Sequence, residues 1–288
     1  MNYMYLRAGG DDESLRAILN ARNGQIVSLK RGSKEFMQGG GRDSEDSLKQ
    51  LNDMRGWINN SWITMFPIVN SSKDHKILYE GKLYDLSQHG TIRVMTPEIS
   101  KLSDDALNVL YNYVAGTLLD NSYKHALNNA YPKDLMLPFD CSMKKEYKLS
   151  DVFAVKTIIE NTSSKSFCYA YGDHPAFVNK GDPEKCFFYS YNDWKMSLKD
   201  VKNAGDVVLK TDWIRFFNER GTEGLEVRSD CGMMQLWSPG FNVFAIEPIT
   251  ETLDNNIIHD LSGDGTGSYK LILKPGEKKT YNIEIRLF

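Results

Sequence analysis

The last twenty residues constrain the fold more tightly than any other stretch. Tyr281, Ile283, Ile285 and Leu287 alternate with Asn282, Glu284 and Arg286. A period of two sends successive side chains to opposite faces, which suits a strand with one buried side and does not suit a helix. Tyr269, Leu271 and Leu273 alternate in the same way just before Lys274-Pro275-Gly276-Glu277, a turn composition. The two runs together predict an antiparallel strand pair with one buried side. The period recurs where Phe153, Val155, Thr157 and Ile159 alternate with Ala154, Lys156 and Ile158, ahead of a turn at Asn161-Thr162-Ser163-Ser164.

Other strands follow from weaker signals. Over residues 14–38, Leu15, Ile18 and Leu19 suit strand or helix. Ile26 to Leu29, the turn Arg31-Gly32-Ser33 and Glu35-Phe36-Met37 then read as a hairpin. Gly39-Gly40-Gly41 makes a break, and Ser44 can cap a short helix through Leu48 and Leu51 that ends near Gly56. An apolar run, Trp62 to Phe66, is closed by Pro67, and residues 77–93 hold two strand-like pieces around Gly81-Lys82. Residues 106–113 fit helix or strand, and residues 121–130 fit a short polar helix. Strands throughout, no repeated βαβ rhythm and no compositional linker predict a mainly β, antiparallel sandwich with few short helices, in one domain spanning residues 1–288.

Composition narrows the function classes. Of 288 residues 41% are hydrophobic and 25% charged, enough to build a core and too few charges for wholesale disorder. A net charge of -3 would attract neither nucleic acid nor an anionic membrane surface. No run approaches the ~18 apolar residues of a membrane span, and the first six residues lack a signal-peptide pattern. Cys141, Cys168, Cys186 and Cys231 are widely spaced, which fits reduced thiols in the cytoplasm better than a disulfide framework. The expectation is a cytoplasmic monomer or homodimer.

The histidines His75, His89, His125, His174 and His259 make no metal-ligand spacing, and neither a nucleophile elbow nor a phosphate loop is present. No metal and no cofactor is expected. His75, His125 and His259 stand in polar, turn-like or helical contexts that predict surface positions. His174 is different. It follows the alternating run Phe167-Cys168-Tyr169-Ala170-Tyr171, sits beyond Gly172-Asp173, and precedes Pro175; a histidine at a strand end before proline has its ring direction set by the backbone. Glu247 is a lone carboxylate in Val243-Phe244-Ala245-Ile246-Glu247-Pro248. Alternation puts it with Val243 and Ala245 on one face, which is either a solvent face or the wall of a cleft. A carboxylate and an imidazole flanking a small substrate can remove one proton and deliver another, and doing so at a sugar's anomeric hydroxyl and ring oxygen opens and recloses the ring.

Short motifs in order point the same way. Gly24 to Leu29 with Glu35-Phe36 and Gln38-Gly39, then Phe66-Pro67, Tyr84, His89-Gly90 and Arg93, then Asn161 and Gly172-Asp173-His174-Pro175-Ala176-Phe177, then Gln235-Leu236-Trp237-Ser238-Pro239, Ile246-Glu247-Pro248 and Lys274-Pro275-Gly276-Glu277 resemble the aldose 1-epimerase (galactose mutarotase-like) family, in particular its LacX-like branch. The resemblance implies an antiparallel β-supersandwich with an open cleft. It also implies an isomerase that interconverts the α and β anomers of a monosaccharide or sugar derivative without a cofactor.

On that pattern Glu247 is the general base and His174 the general acid. His89 binds and polarises the sugar, and Gln235 is a polar neighbour of the base. Arg93 either contacts substrate or pairs with a carboxylate, Trp237 either stacks on the sugar or packs in the core, and Asp212 stands for the family's further cleft aspartate. The family's arginine shortly after Phe-Pro is replaced here by Ser71, with Lys73 nearby; lysine lacks the planar fork of arginine. A non-catalytic sugar-binding or regulatory protein on the same scaffold is the alternative. A glycoside hydrolase or lyase would need a second carboxyl such as Asp173 or Asp254 beside Glu247.

Overall fold

The computed structural model describes residues 3–10, 14–38, 62–121 and 132–288. The glycine break at 39–41, the helix expected from Ser44, nearly all of the polar helix expected over 121–130, and His125 lie outside the described residues.

Alternating residues build the sheets. The largest has nine strands, running Lys195–Ser197, Phe187–Tyr189, Trp213–Phe217, Gly224–Ser229, Lys278–Leu287, Phe153–Asn161, Cys141–Leu149, Ala106–Tyr113 and Glu98–Lys101. All its neighbours are antiparallel. In Lys278–Leu287 the residues Tyr281, Ile283, Ile285 and Leu287 are buried and those between are exposed. Each such apolar side chain contributes about 1.5–3 kcal/mol by leaving water. Residues 106–113, ambiguous in sequence, form a strand because their alternate side chains Leu107, Val109, Tyr111 and Tyr113 enter the same core. Among the described residues the α-helix is Leu198–Ala204, started by Ser197, whose side chain accepts from the Asp200 N–H. No helix of these residues is long and apolar enough to cross a membrane.

A six-stranded sheet faces the large one and carries the cleft. Its order is Val207–Leu209, Met233–Gly240, Val243–Ile249, Gly172–His174 and Ile63–Met65, with Ala176–Val178 also pairing onto Val243–Ile249. The two sheets meet through large side chains: the rings of Phe216 and Phe244 lie 4.0 Å apart, and those of Trp62 and Phe153 5.7 Å apart.

One expected pairing is not made. Leu271–Leu273 does not form a hairpin with Lys278–Leu287; it pairs with Phe167–Tyr169, while Lys278–Leu287 lies between Phe153–Asn161 and Gly224–Ser229. Asn161 draws the chain across instead. Its buried side-chain amide donates to the carbonyls of Leu273 and Lys165, and its backbone carbonyl accepts from the Gly276 N–H. The turn thus joins two sheets. His259 also departs from expectation: it is fully buried, with Nδ1 2.8 Å from the Tyr269 hydroxyl and Nε2 3.1 Å from the Asp254 carbonyl. These two partners make burial of the imidazole tolerable. The four cysteines are free and buried.

Candidate active site

The cleft lies over the six-stranded sheet and measures about 590 Å³. Its floor comes from neighbouring strands in register. Gln235 sits directly across from Glu247, and Trp237 across from Ala245; these four share one face because the side-chain period is two. Leu236, Ile246 and Phe244 point the other way and are fully buried. His174 enters from Gly172–His174, whose Gly172 lies between Ile249 and Met65. Only a residue without a Cβ fits there, since a Cβ would fall 2.8 Å from side chains of both flanking strands.

Glu247 is the residue whose position was open, and the structure takes it off the solvent. Every residue of Val243–Ile249 is buried, and the turns carrying Asn70, His89 and Asn255 line the same cleft as Glu247, on the face that alternation alone would leave wet. The carboxylate is completely buried, and neither oxygen has a hydrogen-bond partner among the described residues. Burial, reinforced by the Asp206 carboxylate, raises its pKa well above the usual carboxylate range. His174 Nε2 lies 3.4 Å from Glu247 Oε1. Burial, together with the Arg93 guanidinium, pushes this imidazole down to about 4. These opposite shifts favour the neutral pair over the ion pair. The two groups stand side by side rather than on opposite walls, which suits a hydroxyl and a ring oxygen bonded to the same carbon.

His89 lines the cleft beside His174. Its ring meets that of His174 edge-on at 5.5 Å, and burial, then Arg93 and His174, holds its pKa well below the ordinary value. Its backbone is pinned in the left-handed region, with φ of 65°. Its N–H donates to the Asn70 carbonyl and its carbonyl accepts from the Phe66 N–H. Gly90 follows because the chain there crosses the Phe66-Pro67 backbone; a Cβ would lie 1.9 Å from the Phe66 oxygen.

The other expected residues divide. Gln235 lines the cleft and pairs its amide with that of Asn70, both contacts at 3.4 Å, with a longer 3.5 Å contact to Asp206. Trp237 lines the cleft half-buried, 5.6 Å edge-on from His174, and is not a core residue. Arg93 is buried and does not line the cleft; it donates to the Gln88 carbonyl and to Ser87, so it braces the turn that holds His89. Asp212 lies outside the cleft, exposed beside Tyr191.

The aspartate that does line the cleft, among the described residues, is Asp206, which follows the helix-ending Gly205 and has its pKa raised by burial. Asn70, Gln88 and Asn255 line the cleft as well. None was legible in sequence, although Asn70 directly follows the Phe66-Pro67 run and Asp206 follows a helix stop. Ser71, at the position of the missing arginine, donates its N–H to Asn255. Among the described residues lining the cleft there is no lysine or arginine.

Comparison with solved structures identifies the architecture. A galactose mutarotase-related enzyme from Lactobacillus acidophilus superposes with a TM-score of 0.74 at 17% identity, over 99% of this chain and 97% of that one. A galactose mutarotase-like protein from Lactobacillus casei superposes at 0.75, also 17% identical, over 99% and 100%. The chain has the galactose mutarotase fold. An aldose epimerase homologue from C. elegans extends this likeness at 0.70 and 13% identity, covering 99% of each chain. No protein-family model and no curated protein sequence matches the chain. The mainly β, antiparallel galactose mutarotase architecture expected from the motifs is thus present among the described residues, at identities that establish fold and not chemistry.

Proposed function

We propose that this protein is an aldose 1-epimerase acting on an uncharged sugar. The observation that carries the reading is Glu247: a buried carboxylate with both oxygens unpartnered, on the floor of a cleft, in contact with a buried imidazole. A bound sugar supplies what the carboxylate lacks. Its hydroxyls donate to Glu247, favour the ionised form, and draw the carboxyl proton across to His174. Glu247 then takes the proton of the anomeric hydroxyl while His174 protonates the ring oxygen. The bond between that oxygen and the anomeric carbon breaks, the aldehyde end rotates, and the reverse transfers reclose the ring as the other anomer. His89 and Gln235 hold hydroxyls, and Trp237 offers an apolar face to the sugar. The uncharged substrate is supported by a described lining that holds the carboxyl groups of Asp206 and Glu247 and no lysine or arginine.

The test is exchange NMR between the two anomers of a hexose panel. Glu247→Gln is expected to lower exchange by ~10²–10⁴-fold with the fold intact. Wild-type exchange no faster than buffer across the panel removes the enzyme reading. A second reading, sugar binding without turnover, is favoured by Ser71, which brings no charge to a position where the resemblance expects arginine. Calorimetric binding without exchange would select it.

A further inference from the structure

Directly behind His174 lies a set of buried polar groups that the acid–base reading does not use. Asp173 precedes His174 in the same strand and points the opposite way, into the space between the two sheets, with no exposure. Lys145, from the middle of Cys141–Leu149 in the nine-stranded sheet, reaches across and donates to Asp173 Oδ1 at 2.6 Å. It also donates to Thr64 Oγ1 at 2.6 Å, and Thr64 in turn donates to Asp173 Oδ1 at 2.8 Å. The Tyr171 hydroxyl donates to Asp173 Oδ2, and Thr157 of the large sheet lies 2.8 Å from that phenol. Every polar atom in this set has a partner.

Packing does not explain the set. Lys145 stands at an inward position where its strand neighbours Met143 and Tyr147 are buried hydrophobics. A buried ion pair seldom adds stability over apolar residues of the same size, because desolvation offsets the attraction. What such a pair does supply is direction, since its bonds are satisfied at one relative placement of the two sheets. The strand it fixes is three residues long and ends at the imidazole.

We propose that Lys145 and Asp173 are positioning residues. They lock the strand carrying His174 to the large sheet, and thereby hold the imidazole against Glu247. The inference rests on the acid–base reading above for its consequence in turnover, but not for its geometry.

The test is a variant that is apolar throughout, Lys145→Met/Asp173→Leu/Thr64→Val, which leaves no charge unpaired; the Tyr171 hydroxyl retains Thr157. We expect it to melt at or above the wild-type temperature, to bind sugar with unchanged affinity, and to lose ~10²-fold in kcat at unchanged KM, the scale of a small misplacement of a reacting group. The ¹⁵N signals of the His174 ring should move with it. A folded variant with wild-type kcat and superimposable ring signals overturns the proposal. If wild-type protein itself shows no anomer exchange, the acid–base reading fails separately, and the ring signals alone decide: moved supports positioning, unmoved overturns it. Should the triple variant not fold, Asp173→Asn keeps the side-chain shape and removes the charge that Lys145 grips, and wild-type turnover with unmoved ring signals in that folded variant is equally fatal.

Discussion

Glu247 Oε1 and His174 Nε2 stand 3.4 Å apart at the floor of the cleft, yet neither carboxylate oxygen makes a hydrogen bond among the described residues. Burial drives the two groups in opposite directions, the acid up and the imidazole down, so that the neutral pair is preferred over the ion pair. The two carboxyl oxygens are thus left without the hydrogen bonds that a buried polar group normally makes.

The pH profile follows from counting the proton of the neutral pair. Below about pH 4 His174 takes a proton of its own, the pair holds two, no base remains, and kcat/KM falls. On the alkaline side the pair loses its last proton, no acid remains, and the rate falls again, at a pH well above the usual carboxylate range because burial and Asp206 raise Glu247. Asp206→Asn removes the repelling charge and should move the alkaline limb to lower pH. Progress curves of anomerisation from pH 3 to 10 check both limbs; an unmoved alkaline limb in Asp206→Asn counts against the coupling.

Stability should respond to the same carboxylate. Its folded pKa is raised, so below the unfolded value of 4.5 both states are protonated and the group contributes nothing. As pH rises above that value the unfolded chain releases its proton first, and folding becomes progressively less favourable. Glu247→Gln removes this cost. Its melting temperature should exceed wild type at pH 8, by about 2–4 °C for each kcal/mol recovered, and should equal it near pH 4. Scanning calorimetry at the two pH values decides; a variant less stable than wild type at pH 8 contradicts the burial argument.

Gly90→Ala should damage fold and site together. The position has a φ of 77°, and a Cβ there meets the Phe66 carbonyl oxygen at 1.9 Å. The left-handed conformation alone costs about 1–3 kcal/mol for a residue with a side chain, and relieving the clash must shift the turn that holds His89. Denaturant unfolding and sugar titration should both register the change. A variant with wild-type stability and affinity would show that the two chain segments are free to separate.

Charge selectivity gives a further check. With the Asp206 carboxylate in the cleft and no lysine or arginine among the described lining, an unphosphorylated hexose should be preferred over its 6-phosphate by at least ~10-fold in kcat/KM, since like charges brought together without compensation are costly. Equal rates on the two sugars would point to a cation outside the described residues.

Much of the fold is local in origin and was legible for that reason. Tyr281, Ile283, Ile285 and Leu287 declare a strand and its buried face, because alternation is a property of neighbouring residues. The expected partner of that strand was wrong. Leu271–Leu273 carries the right period and the right turn, but period names a face and not a neighbour. The strand ladders on either side, joined by the hydrogen bonds of Asn161 to Leu273 and Gly276, carry the turn between two sheets.

The candidate site divides along the same line. His174, beside Pro175, and Glu247, alone in an apolar run, stand out by residue type and context. Sequence could not say whether Glu247 meets water or a cleft, because that depends on segments remote in the chain, those carrying Asn70, His89 and Asn255, coming together around the same cleft. Nor could it separate Asp206 from Asp212, or show that Arg93 braces a turn rather than a ligand. Residue type and spacing supply the carboxylate, the imidazole and the strands that bear them; burial and the 3.4 Å approach are long-range consequences of packing, and these set which protons the pair can hold.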